Sequence, residues 1–126
     1  IPHALEVAAI IKNNFPVNRF IIDYGTGLLS GPIAYYSHSK TYPFTADEAM
    51  SKATIAEFER LRALGATTFV AIDTDYGRVV PGIKSKEKFW NYLLANYKPI
   101  AISDYYLIFE LRTQLSGGGN GDSAFI

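Results

Sequence analysis

The residues of this 126-residue chain that could do chemistry fall into a few short groups. Gly25-Thr-Gly27, with Gly31 four residues on, follows the apolar run Arg19-Phe-Ile-Ile-Asp23, where a phosphate-cradling turn between strand and helix would sit. The same glycines also read as an ordinary connection: Asp23 and Tyr24 intervene, Pro32 interrupts the helix that would face a pyrophosphate, and Asp47, at about the right distance, falls in a helix first turn. Asp73-Thr-Asp75 has a spacing that offers two hard oxygen donors to a divalent ion and its phosphates, or equally a turn at a strand end, where Asp is common. Asp23 and Asp73 each end a buried run. On adjacent parallel strands both carboxylates would reach one sheet edge, where open α/β sheets bind ligands. Tyr35-Tyr36-Ser-His38-Ser-Lys40 gathers phenols, an imidazole and an ammonium. It reads as a sugar- or phosphate-facing loop, or as one packed Tyr followed by solvated surface. The candidate ligand-binding residues are thus Asp23, Tyr35, Tyr36, His38, Lys40, Asp73 and Asp75; no catalytic residue, metal ligand or cofactor is assigned.

Composition narrows the classes. Twelve Lys and Arg balance twelve Asp and Glu without a run of like charge, so the basic field that phosphate-backbone binding needs is lacking and no nucleic-acid partner is expected. The absence of Cys removes disulfides, thiol nucleophiles and thiolate metal sites. A hydrophobic share of 48% supports a packed core and excludes global disorder. The longest uncharged interval, Tyr24 to Ser39, holds three glycines and a proline and cannot serve as a membrane span; the first residues lack the pattern of a signal peptide. The chain opens at Ile1 and has Met50 as its single methionine, the expected mark of a processed chain or a piece of a longer one.

These groups depend on the elements around them. Ala4 to Asn13 is apolar on most sides behind Pro2 and predicts a largely buried helix. Arg19 to Asp23 and Ala66 to Asp73 predict buried strands. Gly31 to Ser37 fits a strand or a short helix opened by Pro32, and Lys40 to Phe44 is extended or turning because Pro43 disfavours a helical Tyr42. Thr45-Ala-Asp-Glu48 reads as a capping box for a helix to Gly65, with Met50, Ala53, Phe58, Leu61 and Leu64 on its apolar side and Glu59 on its polar side. After a loop with Gly77, Pro81 and Gly82, Ser85 is the expected cap of a helix to Tyr97, and Ile100 to Ser103 with Tyr105 to Leu111 predicts a closing hairpin. The order predicts an α/β fold: a Rossmann-like sandwich with a mostly parallel sheet and a C-terminal antiparallel hairpin, one domain over residues 1–114 and a Gly/Ser-rich tail over 115–126.

The ordered set also resembles a known family. The initial helix and strand, Pro32 with Tyr35-Tyr36-Ser37-His38, the helix ending Arg60-Leu-Arg-Ala-Leu-Gly-Ala66, the aromatic helix Phe89-Trp90-Asn-Tyr92-Leu-Leu-Ala-Asn-Tyr97 and the finishing Tyr105-Tyr-Leu-Ile-Phe-Glu-Leu111 lie in a characteristic order. Together, over about residues 4 to 112, they resemble the soluble C-terminal domain of polytopic membrane glycosyltransferases of the protein mannosyltransferase and aminoarabinose transferase type. The resemblance implies a membrane-anchored parent that transfers a sugar from a polyprenyl-phosphate donor, with this domain on the extracytoplasmic side. In that family the catalytic carboxylates lie in loops between transmembrane helices, outside this chain, so the domain is expected to be an accessory, non-catalytic module. Its partners would be the parent's own transmembrane region and a glycan or polyprenyl-phosphate sugar. Family members often carry Arg in a Tyr-Tyr-x-x-Arg-like segment; here His38 and Lys40 stand instead. Two other readings remain beside it: a free-standing Rossmann-like domain binding a nucleotide or small ligand, and a protein-interaction module using exposed tyrosines.

Overall fold

The computed structural model describes residues 2–25, 30–74 and 77–115. Helix α1 (Pro2–Asn14) leads to strand β1 (Phe20–Tyr24), then α2 (Ser30–Ser37), β2 (Lys40–Phe44), a single 3-10 turn (Glu48–Met50) running into α3 (Ser51–Ala63), β3 (Thr68–Ile72), α4 (Val79–Lys84), α5 (Glu87–Asn96), β4 (Lys98–Ile102) and β5 (Tyr106–Glu110). The sheet order is β2-β1-β3-β5-β4. β1 lies parallel to both β2 and β3, while β5 runs antiparallel to β3 and to β4. The expected α/β order and closing hairpin are both present, as parallel core strands followed by an antiparallel pair.

Each face of the sheet is covered. On one, Val7 and Ile11 of α1 and Ile33 of α2 pack with Ile21, Val70, Ile72 and Ile108. On the other, Phe58 and Leu61 of α3, Val80 and Ile83 of α4, and Phe89 and Leu93 of α5 pack with Ile22, Phe69, Ala71, Leu107 and Phe109. The central strands β1 and β3 are apolar at successive positions because both faces are buried. Phe58 is the hub of the second layer: its ring lies 5.3 Å from Phe89, 5.9 Å from Phe44 and 6.0 Å from Phe69, at edge-to-face angles.

Polar groups fix the ends of these layers. Arg19 donates to the carbonyls of Phe15 and Pro16 beyond α1 and of Ser37 at the end of α2, so one guanidinium serves two helix ends. His38 adopts the left-handed conformation (φ 53°) just past α2, and the Ser39 amide returns to the Ala34 carbonyl at 3.0 Å, closing the helix as a glycine would. The open alternative for Gly31 to Ser37 is therefore settled as helix. Both edge strands carry an exposed Lys and a Pro, Lys40 with Pro43 and Lys98 with Pro99, which discourage pairing with a foreign strand.

Three local expectations are corrected. Asp47, not Thr45, caps the 3-10 turn by accepting the Ala49 amide at 3.0 Å, and Glu48 reaches across to the Lys88 amide of α5. The buried stripe of α3 is Thr54, Phe58 and Leu61, while Met50 and Leu64 are exposed. The stretch containing Pro81 and Gly82 is not a loop but α4, whose first turn tolerates Pro81; Ser85 ends that helix by donating to the Gly82 carbonyl, and Lys86 is the N-cap residue of α5. The Gly/Ser-rich tail beyond residue 115 lies outside the described residues.

Candidate functional site

The crossover from β1 to β2 uses α2 on one face, and the crossover from β2 to β3 uses α3 on the other, so the chain changes sides at β2 and the two connections leave β1 and β2 in opposite directions. At such a point the connections diverge and leave a crevice beyond the carboxyl ends of the strands. A cleft of about 390 Å³ lies there, lined by Tyr24 and Gly25 at the end of β1, Phe44 and Thr45 at the end of β2, and Arg78, Val79, Gly82, Ser85 and Lys86 around α4. Its size falls within the usual range for small-ligand sites.

Its walls follow from local sequence. Gly25 has φ +62°, and a Cβ placed there would lie 3.1 Å from Val79 Cγ1, so a side chain would meet α4 as well as strain the backbone. Tyr24 packs on Phe69, and burial pushes its phenol pKa up, keeping that wall neutral. The opposite wall is fastened by Asp73. Its Oδ1 accepts the Val80 amide at 2.7 Å and its Oδ2 accepts Arg78 Nε at 3.3 Å, which closes the loop after β3 and positions α4. Arg78 and Lys86 are the N-cap residues of α4 and α5. The cleft thus carries two cations and the hydroxyls of Thr45 and Ser85, with no carboxylate among the described residues that line it.

The residues singled out in the sequence are dispersed. Asp23 and Asp73 are both buried near the carboxyl edge, but β1 alternation puts Asp23 on the side of Ile21, toward α1 and α2, whereas Asp73 is bonded to α4 across the sheet. They do not converge on one cleft. Tyr35 and Tyr36 are exposed and meet edge to face at 5.1 Å on α2. His38 and Lys40 follow them at the opposite sheet edge, where Lys40 pairs in register with Phe20 and sets its ammonium 4.7 Å above that ring. Asp75, Gly27 and the centre of the glycine turn lie outside the described residues. Among the described residues, no group of three or more His, Asp or Glu could hold a metal ion, and no helix is long and apolar enough to cross a membrane.

Of the cleft residues, Thr45 and Ser85 are expected from the sequence only as helix caps, and Arg78 and Lys86 are not marked as site residues. The available signal was weak but present: Arg78 follows the Asp-rich turn, and Lys84-Ser85-Lys86 is a compact basic group.

A second polar cluster lies away from the cleft. The Tyr92 and Tyr97 hydroxyls both donate to Glu59 Oε2 at 2.6 Å, while Arg62 Nε donates to Oε1 at 2.9 Å. Burial first, and then the Glu59 carboxylate, push both phenols well above the ordinary tyrosine value. The phenols remain protonated donors, and the cluster joins α3 to α5 rather than offering an acid or base to a ligand.

Comparison with known protein families, curated proteins and solved structures finds no significant match to this chain.

Proposed function

We propose that this chain is a non-catalytic, Rossmann-like domain that binds a small polar ligand in the cleft beside β1. The observation that carries the reading is the coincidence of an open cleft with the place where the chain changes sides of its sheet. The use of Asp73 supports binding over acid–base chemistry: its carboxylate is committed to the Val80 amide and Arg78, and so works as a clamp on the wall. Trp90, beside Phe109 and 6.0 Å beneath the Lys84 ammonium of α4, is a built-in reporter. Titration with nucleotides, sugar phosphates and neutral sugars, followed by Trp90 fluorescence and thermal denaturation, tests the reading. At least one of these is expected to saturate and to raise Tm; a panel that leaves both signals unchanged contradicts it.

A second, compatible reading concerns the parent. The observed order of helix, strand, tyrosine-bearing α2, α3 and aromatic α5 supports the resemblance to the C-terminal domain of protein mannosyltransferase and aminoarabinose transferase type enzymes. On that reading the domain is an extracytoplasmic accessory part of a membrane-anchored sugar transferase, working beside its transmembrane region and a polyprenyl-phosphate sugar. The gene decides it. Several apolar segments of about 20 residues upstream of Ile1 would support the reading; an open reading frame coding only for this domain would end it.

A further inference from the structure

We infer that the cleft is a phosphate site in which Arg78 and Lys86 hold the anion and the Thr45 and Ser85 hydroxyls complete its hydrogen bonding; this rests on the reading of the cleft as a ligand site. The chain as a whole is neutral, yet among the described residues the lining of this cleft holds two cations and no carboxylate, and the Asp73 that pairs with Arg78 offsets one of the two charges from behind the wall. A local excess of positive charge in a concave wall favours an anion over a neutral ligand. The two cations come from different places. Arg78 precedes α4 and Lys86 lies beyond its C-cap Ser85, and the six residues of α4 span about 9 Å, so the two cationic residues line the same cleft from either end of that helix.

Their chemistries are complementary. The bond to Asp73 takes only Nε of the Arg78 guanidinium, a group with five donors in a fork that matches phosphate oxygens. Asp73 itself is held by the Val80 amide, so it anchors Arg78 from behind the wall. Lys86 adds a compact charge at the far side, as lysines do in phosphate sites. Gly25 matters for a separate reason: a Cβ there would press on Val79, so glycine keeps the passage between β1 and α4 clear. A cleft of about 390 Å³ exceeds what a lone phosphate fills and leaves room for the group that carries it. Phosphate on a soluble metabolite and phosphate on a lipid headgroup share this chemistry.

Calorimetric titration of the intact chain with inorganic pyrophosphate at low salt, beside sedimentation with vesicles containing or lacking a phosphomonoester lipid, tests the inference. Saturable pyrophosphate binding that Lys86→Gln weakens roughly ten-fold or more, and Lys98→Gln on β4 leaves unchanged, is the expected result. Retention only on phosphomonoester vesicles, with the same sensitivity to Lys86→Gln, also supports the site and assigns the phosphate to a lipid. Arg78→Gln should weaken binding as well, but it removes the partner of buried Asp73; the Lys86 variant, whose side chain lies off the core, therefore decides. Failure of both probes, or equal weakening by Lys98→Gln, overturns the inference. Titration with a neutral monosaccharide separates the two levels: its saturation without phosphate binding keeps the ligand cleft and removes the phosphate assignment, and silence of all probes removes both.

Discussion

The Asp73 carboxylate accepts the Val80 backbone amide at 2.7 Å, so the residue that follows β3 fastens the first turn of α4 across the loop between them. The bond assigns this aspartate a structural task in which charge and geometry both count. Its Oδ2 also accepts Arg78 Nε, a residue that lines the cleft. Asp73→Ala removes the acceptor from a buried amide, and we expect a loss of about 1–3 kcal/mol. Denaturant unfolding measures it. Added Mg²⁺ should leave the stability of both proteins unchanged if the carboxylate is a clamp; a metal-dependent gain lost in the variant would show a ligand role instead.

Glycine at position 25 is required by its φ of +62° and by the neighbouring Val79 side chain. Gly25→Ala should destabilise the fold by roughly 1–2 kcal/mol, from backbone strain and crowding together. A thermal scan is the simplest check. An unchanged or raised Tm would show that β1 and α4 separate without cost.

The shared acceptor Glu59 is the polar tie between α3 and α5, with two phenols on one oxygen at 2.6 Å. Glu59→Leu strands both hydroxyls, of which Tyr97 is fully buried, and should cost about 2–4 kcal/mol. Equilibrium unfolding of this variant beside Tyr97→Phe checks it. The tyrosine variant removes one donor cleanly and should cost much less.

The same two tyrosines set an alkaline limit. Their folded pKa values lie above the ordinary 10.0 because burial, and next Glu59, disfavour the phenolate. The folded state therefore holds these protons more tightly than the unfolded chain. Their contribution is complete below pH 10 and is lost as the pH rises through and beyond that value. Stability should fall with pH above 10, and Tyr92→Phe/Tyr97→Phe should flatten that fall. A pH series of denaturant midpoints reads it directly, and an equal slope in the double variant would refute the assignment.

Much of the fold was legible because periodicity was strong. Val7 and Ile11, the Ile21-Ile22 pair and the run from Thr68 to Ile72 are buried as their spacing predicts. The site was less legible for physical reasons. α4 was hidden because Pro81 and Gly82 are helix breakers in isolation, and its support comes from Asp73, several residues upstream. Asp23 and Asp73 look equivalent as strand-ending acids, but alternation sends one toward α1 and α2 while its bond sends the other toward α4. Glu59 sits on the polar side of α3 by pattern, and only tertiary packing brings Tyr92 and Tyr97 onto it. Arg78 and Lys86 are distant from Gly25 and Thr45 in sequence, and no local spacing announces that they line one cleft.

The most direct test of the account is a backbone-amide NMR titration of the chain with inorganic pyrophosphate. Saturable shifts concentrated at Gly25, Thr45, Val79, Gly82 and Lys86 around the cleft are the expected result. Shifts concentrated instead at Tyr35, Tyr36, His38 and Lys40, on α2 and the opposite sheet edge, would contradict it, as would a spectrum that pyrophosphate leaves unchanged.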